Sequence, residues 1–329
     1  MRSHRTPLTA GLLIALVVVA LQALLVPLFA GPAANLAPRD LPIAVAGPPP
    51  ATAAITQKLA AEHPGAFEVT TLPDAAAADA AIRDRSVYGA IVVAGPAPEV
   101  HVASAGSPTV SALLGQAAGP QAKVVDVVPL HAGDPRGTGF GAGFLPLAIT
   151  SLLAGLLIFF VVRRRGARLT ALLGYAVAAG LAGAAVLQGW LDVLPGDYLA
   201  VAGVLGLFGL AVAGAMTGLG AMFDRPGLGL GAVTMFLVGN ALGAVAAAPE
   251  LLPQPWGAVG QALPIGAGAT LLRSVAYFDG HGGLTAAIVL GSYAIGGLVL
   301  TALGRRRTAP ATTEASPVAT PDPEHAPAH

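Results

Sequence analysis

Side chains able to do chemistry are sparse in this chain and stand at no useful spacing. Seven histidines, His4, His63, His101, His131, His281, His325 and His329, are scattered without a ligand pattern. His101 and His131 fall in or after expected strands, but two histidines alone define no site. There is no H-E-x-x-H and no G-x-S-x-G, so neither a zinc hydrolase helix nor a nucleophile elbow is present. Cysteine is absent, which removes thiolate nucleophiles, thiolate metal sites and disulfides. The two lysines, Lys58 and Lys123, follow Gln57 and Ala122, whereas a phosphate-loop lysine follows glycine. The alternating glycines of Gly137 to Gly143 lack a strand immediately before them and run into an apolar segment. They read as a flexible hinge at a membrane surface. No catalytic residue, cofactor or metal site is expected, and the chain is not expected to be an enzyme.

The composition explains the poverty of chemistry. Among 329 residues there are 17 Lys+Arg and 17 Asp+Glu, so charged residues are 10% and the net charge is zero. Soluble domains carry about 25% charge. Apolar residues make up 55%, and mean hydropathy is +0.73. Disorder is excluded, because it needs low hydrophobicity and high net charge. Nucleic acid is not an expected partner, because no basic face can be built from so few cations. The lipid bilayer is the expected partner, and the chain reads as an integral membrane protein.

A crossing helix needs about 20 mostly apolar residues. Six stretches free of Asp, Glu, Lys and Arg qualify: 8–30, 141–162, 169–191, 198–223, 228–248 and 284–304. Arginines mark one set of flanks: Arg2 and Arg5, then Arg163, Arg164, Arg165 and Arg168, then Arg225, then Arg305 to Arg307. Six crossings put all of them on one side, which the positive-inside rule makes the cytoplasm. The expected location is the plasma membrane, multi-pass, with both termini cytoplasmic. Residues 1–7 form the inner N-terminus. The first stretch also has the look of a signal peptide, but its apolar run of about 23 residues and the lack of a clean A-x-A site favour an uncleaved anchor.

Residues 31–138 hold 15 of the 34 charges and alternate strand-like and helical runs. Strands are expected at 43–46, 67–72, 88–94, 100–104 and 124–130, with helices at 51–61, 74–85 and 108–118. Asp74 and Ser107 stand as N-caps, and Pro108 suits a first helical position. Asp79 and Arg83 stand i, i+4 for an ion pair. The expected fold is an α-helical membrane bundle of six transmembrane helices, with an extracytoplasmic α/β (or α+β) domain inserted between helices 1 and 2.

In the membrane domain, 141–304, small residues mark packing faces. Gly214 and Gly218 share one such spacing, and Gly239 and Gly243 another. Intramolecular seams are favoured over dimer contacts. Gln188 and Asn240 are the strongly polar residues within the spans, and each is expected to bond a neighbouring backbone. Few polar groups at membrane depth argue against a self-energised transporter. The stretch 249–283 is expected on the outer side as a re-entrant or interfacial segment. Within it 266–278 can form an amphipathic helix, with Arg273 reaching toward headgroups. Trp256 suits the interface. The tail, 305–329, is rich in Ala, Pro, Thr and Ser and reads as disordered and cytoplasmic.

One span, an outer domain of about a hundred residues, then five spans with an outer segment before the last resembles the ABC-2-type permease superfamily. The closest likeness is to its phage-infection-protein-like branch and to permease-like membrane proteins of high-GC actinobacteria. It is carried by Asp84 to Ile91, by Val124 to Leu130 with Asp134-Pro135, by Leu263-Pro264-Ile265-Gly266-Ala267 and by Arg273 through Tyr277-Phe278-Asp279-Gly280. The resemblance implies an exporter subunit that pairs with itself or a paralogue and is driven by a separate ATP-binding subunit. It gives Pro264, Gly266, Arg273, Tyr277, Phe278 and Asp279 as the outer segment, and Arg163, Arg164, Arg165 and Arg168 as a cytoplasmic contact. The alternative is a non-transporting protein that displays its outer domain to envelope or secretion machinery. Its motive is the six-residue connection 163–168, shorter than the helical stretch such permeases present to their ATPase. Sorted by the expected sides, the inside holds 10 basic and 4 acidic residues and the outside 7 and 13. The zero net charge is thus a cancellation between an acidic outer face and a basic inner one.

Overall fold

The computed structural model describes residues 7–95, 97–119 and 122–304. The expected inner N-terminus, apart from Pro7, and the expected disordered tail lie outside these residues. Helix α1, Pro7–Ala34, opens the chain and is exposed along its apolar window. A small sheet unit follows. Its strands are β1 (Leu41–Ala46), β2 (Phe67–Leu72), β3 (Gly89–Val92), β4 (Glu99–Val102) and β5 (Lys123–Asp126). They lie in the order β2-β1-β3-β4-β5. Only the β3–β4 pair is antiparallel.

Helices α2 (Pro49–Glu62), α3 (Ala75–Arg83) and α4 (Pro108–Ala118) link the strands. Helix α2 starts on prolines, whereas α3 and α4 start where a side chain satisfies an orphan N–H group. The Asp74 carboxylate accepts from Ala77 N–H at 2.8 Å, and Ser107 Oγ from Val110 N–H at 3.3 Å. Alternation along β1 makes two cores. Leu41 and Ile43 pack with Val100, Val102, Val110 and Leu114 on one face. Ala44 and Ala46 pack with Ala78, Ile82, Ala90 and Val92 on the other. The expected Asp79–Arg83 pair is replaced: Asp79 Oδ1 turns inward to His101 Nδ1 at 2.6 Å, where a buried imidazole needs a polar partner.

Among the described residues five helices are long and apolar enough to cross a membrane. Besides α1 they are α5 (Thr138–Val161), α6 (Arg165–Ala184, prolonged by a π-helical stretch to Trp190), a 45-residue run Tyr198–Leu242 and α11 (Leu284–Leu303). The long run comprises α7 (Tyr198–Gly231), a π-helical stretch and α8 (Gly239–Leu242). It is broken at Asp224 (φ 56, ψ −138), followed by Pro226. Unbroken, it would measure about 68 Å. Instead the second arm folds back on the first: a Cβ on Gly231 would meet Met216 Sδ at 2.5 Å, and one on Gly220 would meet Leu228 at 2.7 Å. The second arm ends at Leu242, earlier than the expected 248. Ala244 takes positive φ (48°), which turns the chain out of the helix.

One further expectation changes. The glycines of 137–143 are no hinge. Gly137, left-handed at φ 67, is the N-cap of α5, and Asp134 Oδ2 accepts Phe140 N–H at 2.9 Å. The stretch 249–283, expected on the outer side, holds α9 (Trp256–Gln261) and α10 (Pro264–Tyr277). The helix expected at 266–278 is α10, and eleven of its fourteen residues are buried within the protein. Trp256 is exposed, as an interfacial ring would be.

Small residues let these helices touch. A Cβ on Gly297 of α11 would collide with the Gly214 backbone of α7, and one on Gly218 would meet Gly297 O at 2.7 Å. Gly297→Leu should therefore cost roughly 1–3 kcal/mol. Gly296→Leu, with nothing within 4 Å of its Cβ, should be neutral. Thermal unfolding of the two variants in detergent checks this: equal melting temperatures would contradict the α7–α11 seam.

Candidate functional site

The sheet unit meets the helices around a cavity of about 280 Å³. Arg85, Ser86 and Tyr88 enter from the connection between α3 and β3. Glu250, Gln261, Thr270, Arg273 and Phe278 enter from the segment between α8 and α11. Local folding explains how each arrives. Helix α3 closes with Ser86 N–H donating to Ala81 O and Arg85 N–H to Ile82 O. This pairing is the Schellman turn, whose left-handed position is usually glycine. Arg85 occupies it at φ 58. A left-handed non-glycine residue costs roughly 1–2 kcal/mol, and here the strain accompanies a guanidinium at the cavity wall.

Among the described residues neither arginine has a carboxylate within 4.0 Å. Arg85 donates from Nη1 to Thr270 O at 3.2 Å and lies 5.1 Å from the Phe278 ring centroid. Arg273, 7% exposed, donates from Nη2 to Val245 O at 2.9 Å and stacks 4.6 Å from the Phe140 centroid. The expected reach of Arg273 toward headgroups is thus replaced by burial against α5. Burial holds both guanidinium pKa values below their ordinary range, and Arg85 adds repulsion at Arg273, which falls to about 10. Tyr88 donates to Glu250 Oε2 at 2.9 Å. Its phenol is pushed well above its usual range, first by burial and then by the Glu250 charge, so it stays a neutral donor. Thr270 Oγ1 donates to Gln261 Oε1 at 2.7 Å.

Of the other residues expected in this segment, Phe278 lines the cavity, whereas Pro264, Gly266, Tyr277 and Asp279 are not among its lining residues. Pro264 opens α10, and Gly266 is pressed against the Gly260 carbonyl, where a side chain would not fit. Tyr277 donates to Val193 O at 3.4 Å. Phe278 enters the α3-side core of the sheet unit. Asp279 is exposed at positive φ (50°) in the turn before α11. Gly239 and Gly243 pack against Ile265 of α10. Gln188 donates to Pro195 O at 3.0 Å and Gly196 O at 3.1 Å. Asn240 lines a separate cavity of about 270 Å³ beside the end of α1.

At the far end of the bundle, Arg163 and Arg164 are exposed and Arg165 begins α6. Arg168 is 1% exposed: its Nε donates to Val162 O at 2.6 Å and its Nη2 to Phe159 O at 2.9 Å. It caps the C-terminal carbonyls of α5, so its guanidinium is not on the surface.

Among the described residues no three His, Asp or Glu side chains converge to hold a metal ion. His101 pairs with Asp79, and His131 Nε2 meets Asp192 Oδ1 at 2.9 Å, so the two histidines do not share a site. What the cavity offers is two cations, one carboxylate and a lining with both polar and apolar atoms. Sequence reasoning found Arg273 and Phe278 but not Arg85, Tyr88 or Glu250 as their neighbours. The one local signal was an arginine directly after a helix ending, where glycine is expected. Tyr88→Phe should strip the half-buried Glu250 of its donor and lower stability by roughly 1–3 kcal/mol. Denaturant unfolding checks this, and an unchanged midpoint would contradict the hydrogen bond.

No family profile, curated protein or solved structure matches this chain.

Proposed function

We propose that this chain is a plasma-membrane protein with six crossings, and that it serves as the permease component of an ABC-2-type exporter driven by a separate ATP-binding subunit. The observation that carries the reading is the reversal at Asp224. Taken as two crossings, the 45-residue run makes a total of six. The charges support the orientation. His131 beside Asp192 and His281 beside Asp84 bring the loops before α7 and α11 to the sheet unit. At the other end, Gly304 lies against Ala221, and Phe159 against Gly220. That end carries Arg163, Arg164 and Arg225, the cytoplasmic signature. Both termini are then inside and the sheet unit outside. α10, buried just before the last crossing, closes the outer mouth. The exporter works as a homodimer or with a paralogue, and its cargo is open.

A second reading is favoured by one observation. The α5–α6 connection is only 162–164, and Arg168 is spent on capping α5. That leaves little surface for an ATPase, as a non-transporting protein that displays its sheet unit to envelope or secretion machinery would have. Affinity purification of the full chain from its native membrane separates the two. The exporter reading expects a stoichiometric ATP-binding subunit, lost on Arg163→Glu with Arg164→Glu. Purification without any such subunit would overturn it.

A further inference from the structure

The cavity between the sheet unit and α10 carries an unbalanced charge. Its ionised lining groups are Arg85, Arg273 and Glu250, and neither arginine lies within 4.0 Å of a carboxylate among the described residues. Glu250 accepts from Tyr88 instead. Each guanidinium has five N–H donors, and one backbone carbonyl is hydrogen-bonded to each. A desolvated cation with open donors, set in a walled cavity, is stabilised by a complementary anion. The second, independent sign is the turn at Arg85, which keeps an arginine where the backbone favours glycine.

We propose that this cavity binds a small oxyanion of single negative charge, a phosphodiester or carboxylate, held by Arg85 and Arg273. Planar guanidinium groups match both oxyanions with paired hydrogen bonds. One negative charge completes the balance that Glu250 leaves short. The volume of about 280 Å³ fits a head group or a short acid rather than a long-chain molecule. Ile82, Val87 and Phe278 give the apolar side of the wall. The site lies where the sheet unit meets the helix ends, so the anion can come from solution or from a lipid head group. The proposal holds whether or not the chain exports anything.

The test uses the full chain in uncharged detergent, with melting temperature followed against inorganic phosphate, acetate, dihexanoyl-phosphatidylglycerol and dihexanoyl-phosphatidylcholine. A saturable rise with phosphate or acetate assigns a soluble anion. A rise with phosphatidylglycerol but not phosphatidylcholine assigns an anionic lipid. Arg85→Gly suits the left-handed turn and keeps the fold, and it should weaken binding by about tenfold or more. Glu250→Gln keeps an acceptor for Tyr88 while removing the competing charge, and it should tighten binding severalfold. Opposite shifts in the two variants are not produced by a merely structural role. No saturable rise with any of the four probes, or affinities unchanged in both variants, would overturn the proposal.

Discussion

A guanidinium removed from water must find compensation, and the architecture is arranged around that requirement at Arg273. The Phe140 ring on α5 and the Val245 carbonyl supply it. These contacts fasten α10 to the start of the first helix after the sheet unit and to the stretch after α8. The same segment then reaches outward on both sides. Phe278 enters the α3-side core of the sheet unit, while Ala248 and Leu251 enter the opposite core. Sheet unit and bundle are thus packed as one body through residues 245–278. Main-chain bonds extend this: Ala37 N–H donates to Leu251 O and Arg39 N–H to Glu250 O.

Within the bundle the organising constraint is close approach. In a bilayer no hydrophobic drive would act between such helices, so contact area and interhelical hydrogen bonds would have to hold them. Gly155 lies against Ala213 and Met216, Gly180 against Ala202, and Gly297 against Gly214. Thr217 Oγ1 donates to Gly155 O at 3.0 Å, and Tyr175 Oη to Ser151 Oγ at 3.1 Å. These are interhelical bonds made possible by the same small residues. The outward faces of α1, α5, α6 and α11 carry large exposed apolar side chains, the surface that a bilayer would cover.

Much of this was legible in local sequence. Strand β2 falls at the expected residues, and caps at Asp74 and Ser107 start their helices where single side chains can satisfy the first N–H groups. The break near Asp224-Arg225-Pro226 was legible too, because charge, a turn-tolerant Asp and Pro coincide. The rest depended on partners distant in sequence. Nothing near Arg273 announces Phe140, so an amphipathic pattern read as an interfacial helix. Asp79 looked paired with Arg83 because His101, 22 residues on, was invisible to helical spacing. The Gly137 to Gly143 run looked flexible because its stabilising carboxylate, Asp134, stands outside the run. The site was half legible for the same reason: Arg85 and Arg273 stand 188 positions apart and meet only through the fold.

The central claim is that six crossings place the sheet unit and the Asp224 turn on opposite sides of the membrane. The chain has no cysteine, so single cysteines can be placed at the exposed Lys58 and Arg225 without background. A membrane-impermeant maleimide should label Lys58→Cys in intact cells or spheroplasts, and Arg225→Cys only after permeabilisation. Labelling of both from the same side, or of Arg225→Cys alone from outside, would contradict the account.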